Sequence, residues 1–375
     1  MASSVHHDIA PLLRDQLVRV PDLERLFMKW EPCVNPSKDQ VKQVVEDILA
    51  KYTVSERVNV KLTRNMLDDY VANCYPFAGR DTLTELTYFV CWMFLVDDEI
   101  DLVTRHNECH ENSRCHENSL LTLWDDVLDL VRSNLSAGEE ADIEGCGELR
   151  PMEAFSAFGK SLQRGYTKEQ CSRYMTQLLA TAEGYLAEQR FRDKSELPDY
   201  EAYCKYRSGR CCMGQVVSLI EFANGSQLPA EIMDSPEMEK LLANTVILLW
   251  INNDIVSLRK ELRDGFFENL VVISSGSACD LQAGLNHAVG RLEEAIQEID
   301  SAASALMASA TENIGHLPKD LKRVIIDHLK LFISNCKSMC RGIVSWSMKS
   351  PRYELSELAR NDDNSVNFRV VIYSA

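Results

Sequence analysis

Long apolar or amphipathic segments with recognisable end signals dominate the chain. Residues 81–103, "DTLTELTYFVCWMFLVDDEIDLV", open on Thr82 and Glu85 in a Ser/Thr-x-x-Glu capping box, which predicts a helix running to about Val103. Its middle is apolar on every face, so it belongs inside the protein. Ser235-Pro236 starts a second long helix with an N-cap and a proline at the first helical position, and Asp264-Gly265 stops it, giving a rod of roughly 40 Å at ~1.5 Å per residue. A third spans Lys319 to about Ser347, between "LP" and "KSPRY". The segments 224–229, 274–280 and a polar stretch over 104–119 read as loops, and none is long enough to link two domains. The expected architecture is therefore all-α, one domain over residues 1–375 with a polar loop insertion at 104–119.

Composition sharpens this picture. The 16 glycines and 11 prolines are about 7% of the chain, against a usual level of roughly 12%, as befits a mostly helical protein. The formal net charge of −17 opposes a nucleic-acid surface or a polybasic membrane anchor. Thirteen cysteines, an odd count without repeated CxxC spacing, fit reduced thiols in a cytoplasmic setting. The longest apolar runs, "YFVCWMFLV" and "TVILLWI", fall short of the ~20 residues that cross a bilayer, so no membrane span is expected.

Polar chemistry interrupts two of these apolar runs. "TVILLWI" passes straight into "NNDIVSLRKE", where Asn253, Ser257 and Glu261 stand at i, i+4 and i+8 on one helical stripe. An amide oxygen, a hydroxyl and a carboxylate suit Mg²⁺ or Mn²⁺; taken alone, the same stripe could be an ordinary polar face. "DDEID" follows "YFVCWMFLV" with no turn between them, so Asp97, Asp98 and Asp101 emerge from a buried helix, where clustered carboxylates call for cations. A second D-D-x-x-D, "DDVLD" at 125–129, sits in an amphipathic pattern whose apolar stripe is Leu121, Trp124, Leu128 and Val131, and reads as a solvated face. The near-duplicate "CHENSRCHENS" (109–119) lacks zinc-finger spacing and reads as a solvated loop.

Together "DDEID" and "NDIVSLRKE" resemble the aspartate-rich motif and the Asn/Ser/Glu triad of class I terpene cyclases, particularly the single-domain microbial kind. Three further features match in order. Arg207 in "KYRSGRCC", 46 residues before Asn253, resembles the diphosphate-sensing arginine; Lys260 precedes Glu261; and Arg352-Tyr353 in "SPRYEL" resembles the Arg-Tyr pair that bonds diphosphate. The resemblance covers about residues 75–353. It departs from the family pattern in the polar insertion and in Arg210-Cys211, where an acidic or small residue is common.

The resemblance implies a helical barrel with the active site at its open end. There Asp97, Asp98, Asp101, Asn253, Ser257 and Glu261 would hold three Mg²⁺ ions, with Mn²⁺ as the alternative. Arg207, Lys260, Arg352 and Tyr353 would bind the diphosphate of a prenyl substrate. Phe94, Trp346, Phe77 and Trp92 are candidates to face the carbocation left after ionisation. The implied reaction is cyclisation of farnesyl diphosphate to a sesquiterpene hydrocarbon or alcohol, with C10 and C20 substrates open, by a monomer or homodimer. Two other readings remain: a chain-elongating isoprenyl diphosphate synthase, which would need a second aspartate-rich motif, and an inactive scaffold that binds prenyl diphosphate.

Overall fold

The computed structural model describes residues 5–53, 56–107, 113–135 and 150–373, without the side chains of 5–8, 57, 98, 99, 101–107, 113–119 and 150–153. The described helices are, in order, α1 (Val5–Leu13), α2 (Lys38–Tyr52), α3 (Glu56–Thr63), α4 (Leu67–Cys74), α5 (Arg80–Asn107), α6 (Ser113–Leu135), α7 (Arg150–Gly165) and α8 (Lys168–Asp193). They continue with α9 (Tyr200–Arg210), α10 (Met213–Ser218), α11 (Ile220–Asn224), α12 (Ala230–Met233), α13 (Pro236–Arg263), α14 (Leu270–Ile273), α15 (Leu281–Asn313) and α16 (Lys319–Lys349). Short 3-10 turns at Leu23–Phe27 and Pro351–Tyr353 complete the helical part. Among the described residues the fold is all-α apart from one two-stranded antiparallel ribbon, β1 (Leu17–Val20) with β2 (Val366–Arg369), in which Leu17 faces Arg369 and Val20 faces Val366. Each strand is only four residues long, so its alternation carries little signal until the two ends of the chain meet.

The end signals of α13 act as the sequence predicts. Ser235 accepts a hydrogen bond from the Met238 amide, and Gly265 takes φ +82° just beyond the helix. α16 covers the expected span with two extra residues. The start of α5 differs from expectation: the Gly79 carbonyl already accepts from Leu83 N, so the helix begins at Arg80 and Thr82 lies inside it. Glu85 is engaged by Ser161 Oγ at 2.7 Å instead of capping. Within the stretch expected to be a loop, residues 104–107 belong to α5 and 113–119 to α6; residues 108–112 and the side chains of the "CHENS" duplication lie outside those described.

One continuous hydrophobic cluster runs from Leu13 to Ile372. α13 is long and apolar enough to cross a bilayer, yet 72% of its most apolar window is buried inside the protein, where it packs against α15 and α16. This burial explains a helix that is apolar on nearly all sides. α8 and α9 approach unusually closely: a Cβ on Gly184 would collide with the Arg210 backbone, and one on Gly209 with the Ala180 carbonyl. The two glycines thus let the arginine-bearing end of α9 lie directly against α8. α9 then stops at Cys211, and Cys212 adopts a left-handed φ of +61° before α10 begins. Beyond that break α10 packs against α8 and α13.

Candidate active site

α4, α5, α9, α10, α13 and α16 surround a cavity of about 120 Å³, and the Pro351–Tyr353 turn closes part of it. From α5 comes Asp97. Tyr185 Oη donates to its Oδ1 at 2.7 Å, Arg210 Nη1 stands 3.4 Å from the same oxygen, and Arg352 Nη2 is 3.6 Å from Oδ2. Burial alone would raise the Asp97 carboxyl, but Arg210, Arg352 and the Tyr185 hydroxyl outweigh it and hold the group below its usual value. Asp98 and Asp101 continue α5, with side chains outside the described residues.

From the opposite side α13 contributes the second stripe. Asn253 Oδ1 accepts from Arg207 Nη2 at 2.8 Å, while its Nδ2 donates to Tyr353 Oη at 2.9 Å. Burial, and then the charge of Asp254, push the Glu261 carboxyl above its usual range, against Asn269, Arg207 and Ser257. Asn269 Nδ2 donates to that carboxyl at 2.8 Å. Ser257 Oγ is buried and makes no hydrogen bond of good geometry, although it lies near enough to Glu261 to favour the ionised form. A hard-oxygen set with an under-satisfied buried hydroxyl, beside a carboxylate whose charge burial disfavours, fits a divalent cation.

Asp97 and Asn253 open onto one cavity, whereas Ser257 and Glu261 stand further along α13 and are not among the residues lining it. Asp97 and Asn253 both line it, and Arg352 and its neighbour Tyr353 join them, the arginine leaning on Asp97 and the tyrosine accepting from Asn253. Arg207 lines the same space and is 9% exposed. Its Nε and Nη2 donate to Asp254 Oδ1 at 3.0 and 2.7 Å. Lys260 is half-buried one position before Glu261 and is not among the residues lining the cavity.

Aromatic side chains divide between cavity and core. Phe94 and Trp346 line the cavity, both edge-on to Tyr70, and the Arg352 guanidinium stands 5.0 Å over the Phe94 ring. Trp92 does not line it. Two residues from Phe94 is about 200° around a helix, so its ring packs instead against Phe155 in the core, 4.8 Å between centroids. Phe77 sits in the turn between α4 and α5, also away from the cavity. The "DDVLD" aspartates are exposed on α6; of its expected apolar stripe Leu121 is 36% exposed, and Leu120 and Leu123 are buried in its stead.

Four residues of the site carry little sequence signal. Asp254, 1% exposed, accepts from Tyr203 Oη at 2.6 Å and from the Leu270 amide at 3.0 Å as well as from Arg207, so it anchors the arginine to α13. Tyr185, Arg210 and Tyr70 reach the cavity edge only through the packing of α8, α9 and α4. Asp254 alone was within reach, as the acidic residue inside "NNDIVSLRKE". Size would have misled: a groove of about 820 Å³, mostly apolar and lined from α8, α9, α10 and α13, holds neither polar stripe.

Comparison with known proteins agrees with this geometry. The sequence model described as "Terpene synthase family 2, C-terminal metal binding" matches residues 88–298, a span that contains Asp97 through Glu261. A sesquiterpene cyclase, hepA, of Aspergillus oryzae is 24% identical over 379 residues, covering 98% of this chain and 98% of that protein. A sesquiterpene synthase of Metarhizium acridum is 25% identical over 365 residues, 92% of this chain and 91% of the other. The solved structure of hedycaryol synthase in complex with HEPES superposes with a TM-score of 0.69 at 19% identity, over 88% of this chain and 98% of that one, and so shares the fold. With both polar stripes inside a match that spans more than half its length, the chain belongs to terpene synthase family 2 and is a class I terpene cyclase, a lyase acting on prenyl diphosphates.

Proposed function

We propose that this enzyme ionises farnesyl diphosphate and cyclises the resulting cation to a sesquiterpene, releasing diphosphate, with Mg²⁺ held by Asp97 on one side and Asn253, Ser257 and Glu261 on the other. The observation that carries the reading is the shared cavity: Asp97 and Asn253 line one space and are joined across it by Arg352 and Tyr353. Magnesium bound there would supply positive charge against the departing diphosphate. Arg207 and Arg352 add fixed charge and Tyr353 a hydroxyl at the same end, as preorganised donors toward the breaking C–O bond. Lys260 is assigned to the diphosphate only by its position beside Glu261. The faces of Phe94, Trp346 and Tyr70 meet the cation without offering a nucleophile.

Substrate length is supported by the relatives named as sesquiterpene cyclase and synthase. The cavity of about 120 Å³ is small beside the ~300 Å³ at the lower end of ligand pockets, so binding must displace side chains. Met93 and Met213, unbranched and adaptable, line it and are the ones best able to yield. The continuous core supports one catalytic domain over 1–375, and the ten cysteines with described side chains are all free, in keeping with a reducing cytoplasm. Chain elongation finds no support in α6, whose second D-D-x-x-D is exposed.

Purified protein incubated with Mg²⁺ and, separately, geranyl, farnesyl or geranylgeranyl diphosphate should give a volatile cyclic product from the farnesyl substrate. A product from geranylgeranyl diphosphate alone would move the substrate class. Turnover that required isopentenyl diphosphate would replace the reading with elongation.

A further inference from the structure

Arg210 has no part in the diphosphate binding assigned above, yet its side chain is only 14% exposed and lines the cavity. It is the last residue of α9, set against α8 by the close approach at Gly184 and Gly209. Its Nε donates to Glu188 Oε2 at 2.7 Å, whereas its Nη1 stands 3.4 Å from Asp97 Oδ1. The guanidinium carbon lies 3.7 Å above the ring of Tyr185, whose hydroxyl donates to that same Asp97 oxygen. Glu188 stands three residues after Tyr185 on α8, and Arg192 Nη2 is 3.6 Å from the same Glu188 oxygen that Arg210 bonds. One planar, fully charged group therefore sits between two carboxylates, bonded tightly to the one behind and leaning on the one that faces the cavity.

Among the described side chains the Tyr185 hydroxyl, Arg210 and Arg352 stand against the Asp97 carboxylate. Arg352 arrives from the turn after α16 and is assigned to substrate, whereas Arg210 is tied to a second carboxylate, Glu188, within the helical wall. The rigid guanidinium donates to both, at 2.7 Å to Glu188 and at 3.4 Å to Asp97, and because it sits between them it cannot shorten the second contact without drawing away from the first. Burial pushes the Glu188 carboxyl up, but Arg192 and Arg210 outweigh it and hold it at about 2, so the retaining anion stays charged.

We infer that Arg210 is a positioning residue that tunes the affinity of Asp97 for divalent metal, a built-in cation competing for that carboxylate and held back from it by Glu188. The inference rests on the reading of Asp97 as a metal ligand. Removing the cation should make Asp97 more available; removing the restraint should let Arg210 close on Asp97. The two substitutions therefore act on metal binding with opposite signs, which a merely structural role would not produce.

The test is titration of the full chain with Mn²⁺ alone, without substrate, followed by electron paramagnetic resonance of the free ion. Arg210→Gln should tighten Mn²⁺ binding and Glu188→Gln should weaken it, each by about fivefold, the ratio expected for unit charges a few ångströms apart in a partly wetted site. The double variant R210Q/E188Q, which removes a charge of each sign and so guards against misfolding of the single variants, should bind more tightly than wild type. If Asp97→Asn binds Mn²⁺ as wild type does, the reading of Asp97 as a ligand fails. If Asp97→Asn loses binding while the Arg210 and Glu188 variants shift together or not at all, that reading stands and the role given to Arg210 is overturned.

Discussion

Two segments of the chain, residues 97–101 and 125–129, share the pattern D-D-x-x-D and end in opposite surroundings. Asp97 emerges from a run that is apolar on every side, is met by one hydroxyl and two guanidiniums, and lines a cavity. Asp125, Asp126 and Asp129 stand exposed on the outer face of α6, and Asp129 meets Arg132, 3.3 Å away on the same helix. The motif does not separate them; the residues before it do. A helix with no polar face must be enclosed, so a carboxylate at its end is brought against other elements, whereas an amphipathic helix already has a wet side on which to put its charges.

The widest separation between the two segments should be in turnover. Asp97→Ala, and likewise Asn253→Ala across the cavity, should lower product formation by on the order of 10²–10³-fold or more with the far-ultraviolet dichroism unchanged, since each removes a ligand or donor acting on the leaving group. Asp125→Ala should retain wild-type turnover; loss there with retention at Asp97 would reverse the assignment of the two motifs.

Behind the α13 wall the expected effect is on folding. Asp254→Ala would leave Arg207 buried without its carboxylate and remove the acceptor for Tyr203 and the Leu270 amide, costing about 3–5 kcal/mol in a denaturant titration.

Glu188 gives a pH-dependent counterpart. Its pKa is lowered on folding from 4.5 to about 2, against burial, chiefly by Arg192 and Arg210. A lowered carboxyl stabilises the native state fully above its unfolded pKa, and that contribution is lost as pH falls from about 4.5 toward 2, amounting to roughly 3 kcal/mol. Comparison of wild type with Glu188→Gln by urea unfolding at several pH values should show the variant with a flatter acid limb over that window. The same comparison on Asp125→Ala should show no more than about 0.5 kcal/mol at neutral pH, the usual range for an exposed substitution.

How far the sequence revealed the site follows from the same distinction between local and distant partners. The Asn253, Ser257 and Glu261 stripe is legible because α13 announces both ends and its polar residues follow a fully apolar run. Phe94 lines the cavity three residues before Asp97 on the same helix, a position that periodicity can address, and the same periodicity turns Trp92 into the core; Trp346 lies six before Arg352, which stands beyond the end of α16, so only the family resemblance points to it. Arg210 stood out as an unusual residue, but its partners Glu188 and Tyr185 come from α8, and nothing local reports that two glycines bring α8 and α9 together. Asp254 is visible as the acidic residue inside the same motif, but its partners are not, since one residue along α13 is a 100° turn toward α9 and α14. The capping box at Thr82 fails for a similar reason: the Gly79 carbonyl accepts from Leu83 N and starts the helix at Arg80, and the Glu85 carboxylate is taken by Ser161, which lies on α7.

The central claim is that α5 and α13 act on one metal–diphosphate cluster. Crystals soaked with Mn²⁺ and inorganic diphosphate, measured for anomalous scattering, test it most directly. The account predicts peaks within ~2.2 Å of oxygens from both Asp97 and the Asn253, Ser257 and Glu261 stripe, with diphosphate between them. Peaks on one wall alone, or a diphosphate bound away from the cavity between them, would contradict it.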